Sequence, residues 1–159
     1  MDDLTKQELA REVYDTVCAT LDSHDWRYQP KEEELTIICG AKGDDLPIEL
    51  VFRVDPKLMM LVLYSPLPGE IPEDKRLDVA VAVGAINNSM VDGNFDYSLK
   101  NGKLYFRMTA PFIDNTISQE AVMYILMCTC KMVDMFNDRF VMLAKGLISL
   151  DQVLDALKD

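Results

Sequence analysis

The chain has 159 residues, a length that favours one domain with a substantial core. Hydrophobic residues make up 49% of it and charged residues 27%, close to ordinary globular proportions. Its 16 Lys and Arg against 27 Asp and Glu give a net charge of −11. Nucleic acids and anionic membranes need a basic surface on their partner, so this charge argues against both.

The start of the chain does not look like an export signal. Residues 1–8 are acidic, whereas a secretory signal has a positive start and then an apolar run. The strongly apolar helical stretch at residues 121–130 is much shorter than the roughly 20 residues of a membrane span. We therefore expect a cytoplasmic protein.

The four cysteines are not arranged for a metal site. Each of Cys18, Cys39, Cys128 and Cys130 lies in an apolar pattern, which is typical of buried free thiols. Cys128 and Cys130 are two residues apart on a helix, so their thiols point in different directions. His24 is the single histidine and would add only one possible metal ligand. We predict neither a metal nor another cofactor.

Periodicity predicts the elements of the first half of the chain. Residues 3–21 repeat apolar side chains at helical spacing, and residues 22–33 are polar and read as a connection that Trp26 and Tyr28 anchor on the core. The period then changes to two, which predicts a three-stranded meander at residues 35–39, 48–54 and 58–64.

The second half begins with a helix at residues 73–89, in which Gly84 is expected to allow close packing on the sheet. Strands at 94–99 and 103–110 form a hairpin, with Asn101-Gly102 as a two-residue turn. A long helix runs from a Ser118 cap to about Lys145, and a short helix starts at Ser149 or Asp151.

This order of elements predicts one α+β domain over residues 1–159, with helices on one face of a mainly antiparallel sheet. No arrangement of residues predicts catalysis. Ser23, His24 and Asp25 are neighbours in a connection, whereas catalytic triads are assembled from distant segments, so a surface or capping role is favoured for His24. We predict that the protein is not an enzyme.

The long helix begins with an unusual stretch, because residues 121–130 are apolar around the whole circumference. If Val122, Ile125 and Leu126 face the sheet, other apolar side chains face away from it. The candidate protein interface comprises Met123, Tyr124, Met127 and Cys130. Burial inside the monomer, contact in a symmetric dimer, and binding of a ligand or client remain open as explanations.

Three local features resemble the YbjN family, described as bacterial sensory transduction regulators, whose fold is similar to that of type III secretion chaperones. The first is Asp-Trp-Arg-Tyr at residues 25–28, after an acidic helix. The second is Gly-Ala-Ile-Asn-Asn at residues 84–88, shortly before Gly-Asn-Phe at 93–95. The third is the hairpin with 96–99 and 104–107, leading into the long helix. Asn87 and Gly93 match structural positions of the family.

The resemblance covers roughly residues 4–140 and implies a two-layer α/β sandwich with a five-stranded sheet in the order 1-2-3-5-4. It implies no catalytic residue and no cofactor, and the helix after Ser149 is an addition at the C-terminus. Secretion chaperones are acidic homodimers that hold an extended partner polypeptide. The leading hypothesis is therefore a chaperone-like, homodimeric regulatory module that binds another polypeptide. The alternative is a small-molecule sensor with a pocket between sheet and helices, lined by Phe52, Tyr64, Phe106 and Met108.

Overall fold

The computed structural model describes residues 2–113 and 115–158. Within them the chain forms, in order, α1 (Asp3–Ser23), β1 (Tyr28–Lys31), β2 (Thr36–Lys42), β3 (Pro47–Asp55), β4 (Met60–Pro66), α2 (Arg76–Ser89), β5 (Asn94–Tyr97), β6 (Leu104–Pro111), α3 (Gln119–Ala144) and α4 (Leu150–Asp155). Short 3₁₀ turns precede β2 and α2, at Glu32–Glu34 and Glu73–Lys75. The predicted α+β class is confirmed.

The strands form one antiparallel sheet in the order β1-β2-β3-β4-β6-β5. The five predicted strands have the expected order, but the prediction of five was wrong because β1 adds a sixth at one edge. Residues 28–31 lie in a segment that the sequence predicts to be a connection, because it is polar and carries Pro30. Proline is tolerated in β1 because an edge strand leaves one row of N–H groups unpaired.

The helices cover one face of the sheet and enclose the core against it. Phe52 lies opposite Leu63, and Leu63 lies opposite Met108, so that their side chains share the covered face. Helix α3 contacts the other three helices and strands β3, β4 and β6. On β5, Phe95 packs edge-on against three further phenylalanines of the sheet and of α3, Phe106, Phe136 and Phe140.

Helix α2 has a narrow buried face. Its buried side chains are those of Val79, Ala82, Val83 and Ile86. The apolar side chains of Leu77 and Val81 are exposed. Gly84 is exposed as well, and a Cβ there would have no atom within 4 Å. The expected close packing of Gly84 on the sheet was therefore wrong.

The β5–β6 hairpin is confirmed, but its predicted two-residue turn was wrong. The loop closes with a hydrogen bond from the Ser98 N–H to the Lys103 carbonyl (3.0 Å) and one from the Gly102 N–H to the Ser98 carbonyl (2.8 Å). Gly102 has φ +69°, and a Cβ there would clash with the Ile71 carbonyl. The Arg76 guanidinium, a tertiary partner, donates to two carbonyls of the same loop.

The ends of the last two helices agree with the sequence. Ser118 accepts a hydrogen bond from the Ala121 N–H (3.2 Å) at the start of α3. Gly146 follows the helix with φ +69°, as a C-terminal cap requires. Ser149, the first of two predicted alternatives, starts α4 and forms a reciprocal capping box with Gln152.

Candidate protein-binding surface

Helix α3 positions the candidate surface because one side of it is held firmly against the core. The three residues expected to face the sheet, Val122, Ile125 and Leu126, are buried, and so are Val133, Phe136 and Phe140 further along the same side. Their spacing of three and four residues leaves the opposite side of the helix to solvent.

The structure divides the four predicted interface residues into two pairs. Tyr124 is 56% exposed and Met127 is 54% exposed. Met123 and Cys130 are half-buried and pack against the core. The outward side of α3 therefore presents a tyrosine and a methionine, while the other two side chains contribute mainly to packing within the monomer.

Two further exposed methionines on α3 were missed by the sequence reasoning. Met135 is 44% exposed and Met142 is 36% exposed. They follow Cys128 at intervals of seven residues, so the three share one side of the helix. That heptad spacing was the signal available in the sequence. We use the name outward α3 stripe for Tyr124, Met127, Met135 and Met142.

A groove lies beside the outward α3 stripe, where the chain leaves α2. It has a volume of about 320 Å³, and we call it the α2–α3 groove. Its walls come from residues 89–92 on one side and from α3 on the other, the α3 residues being Tyr124, Cys128, Met132, Met135 and Phe136. Thioether and aromatic side chains adapt to apolar partners of varied shape, so such a lining suits a protein contact.

A hydrogen bond crosses one end of the α2–α3 groove. The Tyr124 hydroxyl donates to Oδ2 of Asp92 (3.0 Å), and the Gly93 N–H donates to Oδ1 of the same carboxylate (2.8 Å). The pKa of Tyr124 is raised, because this hydrogen bond and the negative charge of Asp92 favour the protonated phenol. The bond fixes the orientation of Tyr124, the aromatic side chain of the outward α3 stripe.

The cysteine thiols near this surface stay protonated at neutral pH. Burial, with a smaller contribution from Asp134, raises the pKa of Cys130 to about 11. Burial also raises the pKa of Cys128, with Asp92 acting in the same direction. A nucleophilic thiol or a metal ligand needs the thiolate, which this environment disfavours.

A larger cleft of about 740 Å³ opens between α1, the Glu32–Glu34 turn and the β3–β4 connection. Its lining is mostly charged, with an ion pair between Arg11 and Glu32 (3.9 Å). Within residues 2–113 and 115–158, no group of three or more His, Cys, Asp or Glu side chains is placed to hold a metal ion. His24 caps the end of α1, where its Nδ1 lies 2.9 Å from the Thr20 carbonyl oxygen.

The predicted sensor pocket is not formed by the four residues assigned to it. Phe52, Phe106 and Met108 are at most 2% exposed and belong to the packed core. Tyr64 points to the opposite face of the sheet, where its ring packs edge-on against Tyr105 at 5.6 Å. Side chains alternate between the faces of a strand, so Tyr64 cannot share a cavity with its neighbour Leu63 and the core.

The fold defined here is an α+β sandwich with a helix layer on one face of an antiparallel sheet. The family model described as "YbjN: Putative bacterial sensory transduction regulator" matches residues 14–142. The chain therefore belongs to the YbjN family. A comparison with curated proteins finds no match.

Two solved structures share this fold at low sequence identity, and a third gives a weaker match. The crystal structure of YbjN from E. coli is 14% identical, with a TM-score of 0.58 over 77% of this chain and 87% of that one. A chain of the ExsC–ExsE complex is 12% identical, with a TM-score of 0.59 over 82% and 94%. A chain of the HopA1–SchA chaperone–effector complex is 16% identical, with a TM-score of 0.47 over 75% and 87%. The likeness implied by the sequence is confirmed for the fold.

Among the helices of the described chain, none combines the length and the apolar character needed to cross a bilayer.

Proposed function

We propose that this protein is a non-enzymatic, chaperone-like regulatory module that binds another polypeptide on the outward α3 stripe. The observation that carries the proposal is the exposure of Tyr124 and Met127 on a helix whose opposite side is completely buried. Scattered single apolar side chains are normal on a protein surface, but a row of them along one helix beside a thioether-lined groove favours a contact site.

The family and the fold both support a partner polypeptide as the molecule that binds the outward α3 stripe. The chain belongs to a family described as sensory transduction regulators, and a protein of the same fold occurs in a complex of two polypeptides. The net charge of −11 keeps the rest of the surface hydrated and repels acidic partners. We further propose that the protein acts in the cytoplasm as a homodimer.

The substitution Met127→Asp tests the proposed contact. An aspartate in the middle of the outward α3 stripe would have to be desolvated on binding, so we expect capture of a partner polypeptide from the native cell to be lost. Leu58→Asp is the matched control, because Leu58 is 67% exposed in the β3–β4 connection, away from the stripe. Partner capture that is unchanged by Met127→Asp would contradict the proposal.

Two solution measurements complete the test. Circular dichroism should show native helix content for Met127→Asp, since the side chain is 54% exposed. Light scattering of the unaltered protein should give twice the monomer mass of 18.1 kDa if the homodimer forms. A monomer that still captures its partner would remove the homodimer and leave the polypeptide-binding role intact.

A further inference from the structure

The carboxylate of Asp92 lies at the rim of the α2–α3 groove and bears on which partner the groove can bind. The floor of the groove is apolar, and Asp92 is the one acidic side chain among its lining residues. Both carboxylate oxygens already accept one hydrogen bond each, from Gly93 and Tyr124, so the carboxylate is held in one orientation.

Asp92 retains the capacity to bind a cation. A carboxylate has about four acceptor positions, and the two contacts leave roughly half of them for other donors. No Lys or Arg within residues 2–113 and 115–158 forms an ion pair with it. The Gly93 and Tyr124 donors also reduce the side-chain freedom that a new ion pair would otherwise have to remove.

Lys131 is the charged neighbour that could weaken such a site. The Cys128 thiol lines the groove and lies near both charges: burial raises its pKa most, Asp92 raises it further, and Lys131 lowers it. Lys131 is exposed on α3 and is absent from the groove lining, whereas Asp92 belongs to that lining. The groove therefore presents an apolar floor with a carboxylate at one end.

We propose that the α2–α3 groove selects a polypeptide segment in which a Lys or Arg lies close to an apolar anchor residue, and that Asp92 binds the cation. This inference rests on the proposed polypeptide-binding function and adds the chemistry of the partner. The apolar anchor occupies the floor formed by Met132, Met135 and their neighbours, and the cation meets Asp92 in a charge-assisted hydrogen bond. The overall negative charge of the protein attracts such a segment at long range.

The test uses a displayed library of random short peptides, selected separately on the unaltered protein, on Asp92→Asn and on Met135→Asp. We expect the unaltered protein to enrich peptides with an apolar residue and a Lys or Arg at constant spacing. Asp92→Asn should retain the apolar preference and lose the basic one, because an amide has nearly the same shape without the charge. Asp151→Asn, at an exposed position of α4, changes the net charge equally and should behave like the unaltered protein.

A synthetic version of one selected peptide makes the test quantitative. Replacing its Lys or Arg with norleucine should weaken binding to the unaltered protein by about tenfold and leave binding to Asp92→Asn nearly unchanged. Enrichment of apolar peptides without a basic residue, abolished by Met135→Asp, would overturn this inference while the polypeptide-binding function stands. Failure of the unaltered protein to enrich any peptide over Met135→Asp would overturn both.

Discussion

The side-chain amide of Asn87 takes the place of a neighbouring strand for Phe95. Its Oδ1 accepts a hydrogen bond from the Phe95 N–H (2.8 Å), and its Nδ2 donates to the Phe95 carbonyl oxygen (3.0 Å). Strand β5 lies at an edge of the sheet, where backbone groups have no strand to pair with. Asn87 of α2 thereby provides hydrogen-bond partners for the backbone of this edge strand and connects the helix layer to the sheet.

Asn87→Ala should lower the free energy of unfolding by about 1–3 kcal/mol, because two half-buried backbone groups would lose their partners. Urea denaturation measures the change. Asn88→Ala is the matched control: its side chain is exposed, and we expect a change within about 0.5 kcal/mol. Equal effects of the two substitutions would show that the Asn87 amide does not support β5.

Replacement of glycine by alanine is expected to have opposite effects on stability at Gly93 and at Gly84. Gly93 has φ +72°, and a Cβ there would clash with the buried Phe106 ring and lie 3.0 Å from Met108 Cγ. Gly93→Ala should therefore cost about 3 kcal/mol or more, from backbone strain and lost packing together. Gly84→Ala should stabilise the protein by about 0.5–1 kcal/mol, since an exposed helical glycine gains helix propensity.

Thermal unfolding of the two glycine variants checks both signs. A Gly93→Ala protein as stable as the unaltered one would contradict the close approach of the Gly93 backbone to Phe106. A destabilising effect of Gly84→Ala would show that another surface covers this part of α2.

The buried hydroxyl of Tyr14 is expected to affect the stability of the protein at alkaline pH. Its side chain is 2% exposed, and its hydroxyl, beside the Cys18 thiol, has no hydrogen-bond partner among the described residues. Burial raises the pKa of Tyr14 from 10.0 to about 12, so the folded state holds this proton more tightly than the unfolded state. The stability that this contributes is complete below pH 10 and is lost as the pH rises towards 12.

Tyr14→Phe should raise the free energy of unfolding by about 1 kcal/mol at neutral pH, because a buried hydroxyl without a partner is removed. It should also lose less stability than the unaltered protein between pH 10 and 12. Tyr28→Phe is the control and should be destabilising, since the Tyr28 hydroxyl donates to Asp22 Oδ1 at 3.0 Å. Parallel pH profiles for Tyr14→Phe and the unaltered protein would contradict the prediction.

Most of the fold was predictable because its signals are local. Strand alternation, the Ser118 and Ser149 caps and the Gly146 cap each depend on residues a few positions apart. Two of the errors have the same physical cause, which is a partner from a distant segment. Strand β1 exists because β2 pairs with it, and the β5–β6 loop has its shape because Arg76 and Ile71 contact it.

The candidate surface likewise has features that local sequence predicts and features that depend on distant segments. Residue spacing is enough to predict that α3 has more apolar circumference than one buried stripe requires, because side-chain directions along a helix follow from spacing alone. Packing in the folded chain leaves Met123 and Cys130 half-buried and Tyr124 and Met127 exposed. It also brought Asp92 to Tyr124, across 32 positions of the chain. Burial depends on which distant elements pack alongside a helix, and periodicity carries no information about them.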